Sequence, residues 1–350
     1  MKQPALGIVS SILVIAISLG FIALFSFPTF ATWVVFLTIC FIPIQIVISI
    51  TWKCKHPAFA AVRPQPAKGI LLTLVTLAVG AVVAAIHFKT VGGSVNPPVP
   101  MLAMCIIASV VVTFWLAVIL GGWPFTTLIK NPVAAGLVML AACYVINYLL
   151  YRLFFSYEFM RGAPAYVPAL DPHGLFNAWN MLVFYLTVNA VMFLSLNFDL
   201  WPFTLSPALM RQPVLGIVWT VVCLAGTGAA FYIGMALMRM DVVSFMDRVP
   251  IPFIFGSIIV RNMLHGSLFA KFSQPWKGVL NNVTAAAIGV ALTFAYSALA
   301  PVVTGAMKPG PPGYDFEIWL ASALLAVTFP FLIFYAEFFT MWPLQRREQK

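Results

Sequence analysis

The sequence predicts an all-α, polytopic integral membrane protein of about ten transmembrane helices, arranged as five helical hairpins, and three observations predict it. First, 62 % of the 350 residues are hydrophobic and only 8 % are charged, whereas a soluble domain carries about 25 % charged residues. A water-facing surface cannot be built from that composition. Second, apolar runs long enough to cross a bilayer, about 20 residues each, alternate with short polar breaks and leave no room for a soluble domain. Third, a short motif of amide, proline and glycine precedes every second run.

Taken in order, the runs cover 5–27 and 30–51, then 69–87 and 100–122, 133–155 and 175–197, 214–237 and 250–269, and 279–303 and 319–342. The first run could pass for a signal peptide, but it is long for one, and its opening matches later segments, so it is read as the first membrane helix. The motif reads Gln3-Pro4…Gly7, Gln65-Pro66…Gly69, Asn131-Pro132…Gly136, Gln212-Pro213…Gly216 and Gln274-Pro275…Gly278. Proline suits the first position of a helix because its missing N–H is unsatisfied there anyway. Asn is a good cap and Gln a poorer one, while a glycine one turn in lets a neighbouring helix approach. Three of the even-numbered runs close with Trp123-Pro124, Trp201-Pro202 and Trp342-Pro343, an interfacial anchor followed by a residue that cannot continue the helix. The repeats are bounded at about 3–64, 65–130, 131–211, 212–273 and 274–345, in one transmembrane domain.

Charge sets the expected orientation. The junctions holding the motif carry Lys53, Lys55, Arg63, Lys68, Lys130, Arg211, Lys271 and Lys277, joined by Lys2 and the tail residues Arg346, Arg347 and Lys350. The opposite loops mix Lys89, Arg152, Arg161, Arg239, Arg248 and Lys308 with Glu158, Asp171, Asp241, Asp247, Asp315 and Glu317. The positive-inside rule then places both termini and every motif junction in the cytoplasm, with the chain in a cytoplasmic (inner) membrane. The net charge of +10 is scattered singly over loops, which argues against a nucleic-acid partner.

Chemistry is sparse. The cysteines Cys40, Cys54, Cys105, Cys143 and Cys223 show no CxxC spacing, so neither a zinc site nor a disulfide framework is expected. There is no carboxylate cluster for metal–pyrophosphate chemistry, no HExxH, no G-x-S-x-G and no Walker motif. No cofactor or metal is expected, and catalysis is disfavoured.

Charges inside a span are the best pointers, each costing roughly 2.5–3.5 kcal/mol at the helix centre. The eighth run holds Arg261, Asn262 and His265, and the tenth holds Glu337. If the eighth helix starts at Pro250, Arg261 lies near mid-span. The third hairpin carries Tyr148 in a tyrosine stripe, with Asn177 and Asn180 on one face of the next helix. Asp171-Pro172-His173 crowns its long polar loop, 156–174. Asp199 interrupts the sixth junction, with Arg211 as its expected partner across the turn.

These residues suggest a permease or channel for a small, anionic solute or ion, coupled to protons. Arg261 would attract the solute while His265 and Glu337 handle protons. An anchor subunit of a larger membrane complex is the second reading, and an intramembrane enzyme acting on a lipid or quinone the third. The lipid bilayer is the one certain partner; homo-oligomerisation and membrane-complex partners stay open.

Overall fold

The computed structural model describes residues 1–345, so the tail residues Arg346, Arg347 and Lys350 lie outside the described residues. Among the described residues, ten helices are long and apolar enough to cross a membrane. They are α1 (Ala5–Ile22), α2 (Phe27–Thr51), α3 (Ala67–Thr90), α4 (Pro100–Ile119), α5 (Pro132–Phe154), α6 (Ala178–Asn197), α7 (Val214–Leu237), α8 (Val242–Met263), α9 (Trp276–Val303) and α10 (Asp315–Phe338). Helix is what such sequences must form, because hydrocarbon offers nothing to bond a free N–H or C=O. One amendment to the all-α expectation is a two-residue parallel pair, β1 (Phe155–Ser156) with β2 (Phe176–Asn177), which ties off the long loop between α5 and α6.

The helices sort into two layers. In the even-numbered helices 50 % to 72 % of the apolar window is buried, against 22 % to 44 % in the odd-numbered ones. The even helices touch one another in a closed circuit: α2 meets α4, α4 meets α6, α6 meets α8, α8 meets α10, and α10 meets α2. Each odd helix lies outside, against two of them. Thus α3 packs on α2 and α10, α5 on α4 and α2, α7 on α6 and α4, α9 on α8 and α6, and α1 on α10 and α8.

Five local structures hold the layers in register. After each even helix the chain turns through two successive left-handed residues: Lys53-Cys54, Gly121-Gly122, Asp199-Leu200, His265-Gly266 and Thr340-Met341. Such backbone is normally avoided by residues with a Cβ. Here it lets late N–H groups reach back to carbonyls that a helix end leaves bare. The N–H groups of Cys54, Gly122, Gly266 and Met341 bond the carbonyls of Ile48, Leu116, Val260 and Tyr335 at 2.8–2.9 Å.

The amide of the following motif then grips another helix's end. Gln3 donates to the Met263 carbonyl of α8, Gln65 to Phe338 of α10 and Gln212 to Ile119 of α4. Each Gln oxygen, with that of Gln274, accepts the N–H of the glycine four residues on, at 3.0–3.3 Å. The expectation that Gln is a poor cap is therefore corrected: its longer side chain caps its own helix and another helix at once. Asn131 caps conventionally, accepting from Val133 and Ala134, and the link there is Trp52 donating to the Pro132 carbonyl. At Gly278 a Cβ would collide with the Phe198 ring beyond α6, so only glycine permits that approach.

Candidate functional site

Two regions on the inner layer have chemical character, one at each end of the even helices. At their C-terminal ends lies a polar cluster. α8 begins at Val242 and ends at Met263, which corrects the mid-span position expected for Arg261: it lies in the last turn. Its guanidinium donates to the Leu196 carbonyl of α6 and lies 3.8 Å from the Asp199 carboxylate. Asp199 is in turn paired with Lys277 at 2.7 Å and accepts from Gln274 at 3.1 Å. The expected partner Arg211 is thus replaced by groups some 75 residues further on, which the fold brings across from α9. Such half-exposed pairs contribute about 0–1 kcal/mol, so this cluster orients helix ends more than it stabilises them.

Asn262 donates to the Glu337 carboxylate at 2.9 Å, joining α8 to α10. His265 stands apart. It is an exposed, left-handed turn residue, and among the described residues no carboxylate lies within 4.0 Å of it. The expected Arg261–His265–Glu337 relay is therefore not assembled: Arg261 and Glu337 each have another partner and His265 has none. Burial first, and then the nearby Glu337 charge, push the Cys54 thiol up to about 12, with Lys68 opposing.

At the other end, the first turns of α2, α4, α6 and α10, with Met246 of α8, surround a cavity of about 630 Å³. Prolines open it: Pro28 begins α2, Pro97 and Pro98 lead into α4, and Pro164 reaches over from the loop. The walls are almost wholly apolar, relieved by Thr32, Asn96, Trp179, Ser322 and Asp315, the last being, among the described residues, the one charged side chain lining it. Ile39, Ile107, Leu186 and Leu325 form its floor and also line a second space of about 30 Å³ deeper in the bundle, where Asn189 is the polar group. That is room for about one or two waters. Below, Phe114 of α4 packs edge-on against Phe193 of α6 and Phe329 of α10, with ring centroids at 5.8 and 6.1 Å.

The remaining expected residues are at or outside this rim. Asn177 is the N-cap of α6, accepting from Trp179, and Asn180 and Tyr148 are exposed on the outer surface. Asn177 and Asn180 start the helix that Arg261 touches at its far end, about 25 Å away at 1.5 Å per residue. Asp171, expected in a solvated loop, is buried and organises it: its oxygens accept from the N–H groups of Tyr157 and His173 and from the Tyr166 hydroxyl. Glu158, Asp171 and His173 have donor atoms within 4.8 Å of one another, but those N–H groups already occupy both Asp171 oxygens.

Two features went unread in the sequence. Gln45, the lone amide in its apolar run, is fully buried and donates to the Pro330 carbonyl of α10. Asp247, assigned to an outer loop, belongs to α8 and is buried with neither oxygen hydrogen-bonded. The signal for it was Asp247 standing just before Pro250-Ile-Pro252, where a helix interrupted by proline can continue. No protein-family model matches the chain, and no curated protein or solved structure is detectably similar to it.

Proposed function

We propose that the protein is a permease or channel that passes a small solute along the axis of its five even-numbered helices. One observation carries the reading: the two cavities follow one another along that axis, share Ile39, Ile107, Leu186 and Leu325, and take their walls from the same five helices. A scaffold helix bundle has no need of a tapering space at its centre. The apolar walls favour an uncharged or amphiphilic solute over the anion expected from Arg261, whose guanidinium is engaged with Leu196 and Asp199. In this reading the ring of Phe114, Phe193 and Phe329 is the closed gate.

The same proposal includes the topology. From α3 on, each odd helix packs mainly on the even helix before it rather than on the one that follows, which corrects the expected hairpin pairing. Each odd–even pair still enters in the same direction, with the vestibule on the outer face of an inner membrane and both termini and the basic junctions in the cytoplasm. Support comes from the loop charges and from the five matching turns of paired left-handed residues. The turn and motif geometry likewise supports an internal repeat rotated about the membrane normal.

The test widens the gate. In proteoliposomes, glycerol and urea entry is followed by stopped-flow light scattering for the unaltered protein, Phe114→Ala and Phe329→Ala. A gate predicts a rise of about tenfold in permeability, the effect of lowering a barrier by about 1.4 kcal/mol. Permeability equal to that of protein-free liposomes in both folded variants overturns the reading.

A further inference from the structure

Asp247 is the one carboxylate, among the described residues, that is buried without any hydrogen-bond partner. It is 5 % exposed. A carboxylate taken out of water needs a neutralising partner, since an unpaired buried charge is too costly to keep. A second observation indicates what neutralises it. α8 is broken two residues later at Val249, where φ is −122° and ψ −76°. Pro250 and Pro252 have no N–H to offer the carbonyls of Met246 and Arg248 four residues before them. A carboxylate beside carbonyls freed at a break in a membrane helix is an arrangement that holds small cations.

We propose that Asp247, with the carbonyls at the Val249 break, binds a monovalent cation, either a proton or a sodium ion, in the wall of the vestibule. Met246, its neighbour, lines that cavity, so occupancy of the site and of the cavity are adjacent events. A divalent ion is disfavoured because one carboxylate supplies a single negative charge. Glu317, on α10, is held by the Gly310 N–H, which both its oxygens accept at 3.1 Å.

Ionisable groups on the packed elements are few. On its own segment, Asp241 caps the helix and bonds Tyr314, and Arg248 is exposed. α10 brings Asp315 and Glu317, α6 brings Tyr185, and α9 brings Tyr296, which is bonded to Thr328. Tyr232 of α7 and Arg239 beyond it are exposed. A role in coupled transport would rest on the permease reading; occupancy of the site does not.

The experiment labels the full-length protein in nanodiscs with dicyclohexylcarbodiimide and reads the adduct by peptide mass spectrometry. The protonated carboxyl adds across one C=N bond, its oxygen to carbon and its proton to nitrogen. An oxygen-to-nitrogen acyl shift then gives a stable N-acylurea with no atom lost. The expected result is an adduct at Asp247 that is absent in a folded Asp247→Asn variant. If the ion is sodium, labelling falls about elevenfold when sodium reaches ten times its dissociation constant, and choline does not replace it. If the ion is the proton, sodium has no effect and labelling falls about tenfold per pH unit on the alkaline side of the transition. No adduct at Asp247, or an adduct indifferent to both pH and sodium, overturns the proposal. Melting of the unlabelled protein, read with and without sodium, provides a check that needs no variant.

Discussion

Replacing Gly256 by alanine tests whether α8 and α9 pack as closely as described. Alanine is the better helix former by about 1 kcal/mol, so local propensity alone predicts a more stable protein. The packing predicts the reverse. A Cβ at position 256 would overlap the Ala285 carbonyl oxygen far inside van der Waals contact, with the Ala285 carbonyl carbon at 2.6 Å. These are backbone atoms of a helix and cannot rotate aside. The two helices must part by about 1.5 Å, and a gap of that size forfeits more than half of each contact along the seam. Overpacking of this kind costs about 3 kcal/mol, which leaves a net loss of about 2 kcal/mol after the propensity gain.

The assay is thermal unfolding of detergent-solubilised protein, followed by fluorescence-detected size exclusion, and the expected fall is about 3 °C. Gly228 of α7 is the control, because a Cβ there meets nothing within 4 Å; Gly228→Ala should hold or raise the melting temperature. If Gly256→Ala stabilises as much as Gly228→Ala, the close packing of α8 on α9 is refuted.

Two further outcomes follow from the ends of the helices. Gln65→Leu removes the donor to Phe338 and the acceptor of the Gly69 N–H, leaving two partly buried backbone groups unbonded. The expected loss is about 2 kcal/mol, read in the same melting assay, and a change within error would show that this grip is idle. Cys54 gives a pH effect with a fixed sign. Its thiol ionises near the ordinary 9.0 when unfolded and only at about 12 when folded. The folded state therefore keeps its full advantage below pH 9 and loses up to about 1.4 kcal/mol per pH unit as the pH climbs toward 12. Urea unfolding of the unaltered protein and of Cys54→Ala should diverge only above pH 9, and parallel curves throughout would contradict the buried, acid-facing position.

What the sequence determined by itself is the set of ten spans, and the bilayer is the reason. Hydrocarbon leaves the backbone one open-ended solution, so length and hydropathy locate helices whatever their neighbours. The amide–proline–glycine motif was also legible as a helix start. That Gln65 reaches to α10 was not, because its partner carbonyl at Phe338 lies 273 residues away.

Only the tertiary structure decided which helices are inner. In lipid both the packed and the exposed face of a helix are apolar, so the hydrophobic periodicity that reveals a buried face in water is largely erased. Leu186, in the floor of the cavity, and Leu149, 60 % exposed on the outside of α5, look alike in the sequence. The polar residues misled for a related reason. Arg261 and His265 occupy one run, but the start of α8 lies in the mixed segment 241–248, and folding it into the helix moves Arg261 to its end. Asp247 looked like loop charge because Pro250 and Pro252 after it read as a helix start, and the close packing of α8 between α6, α9 and α10 is what hides it from water.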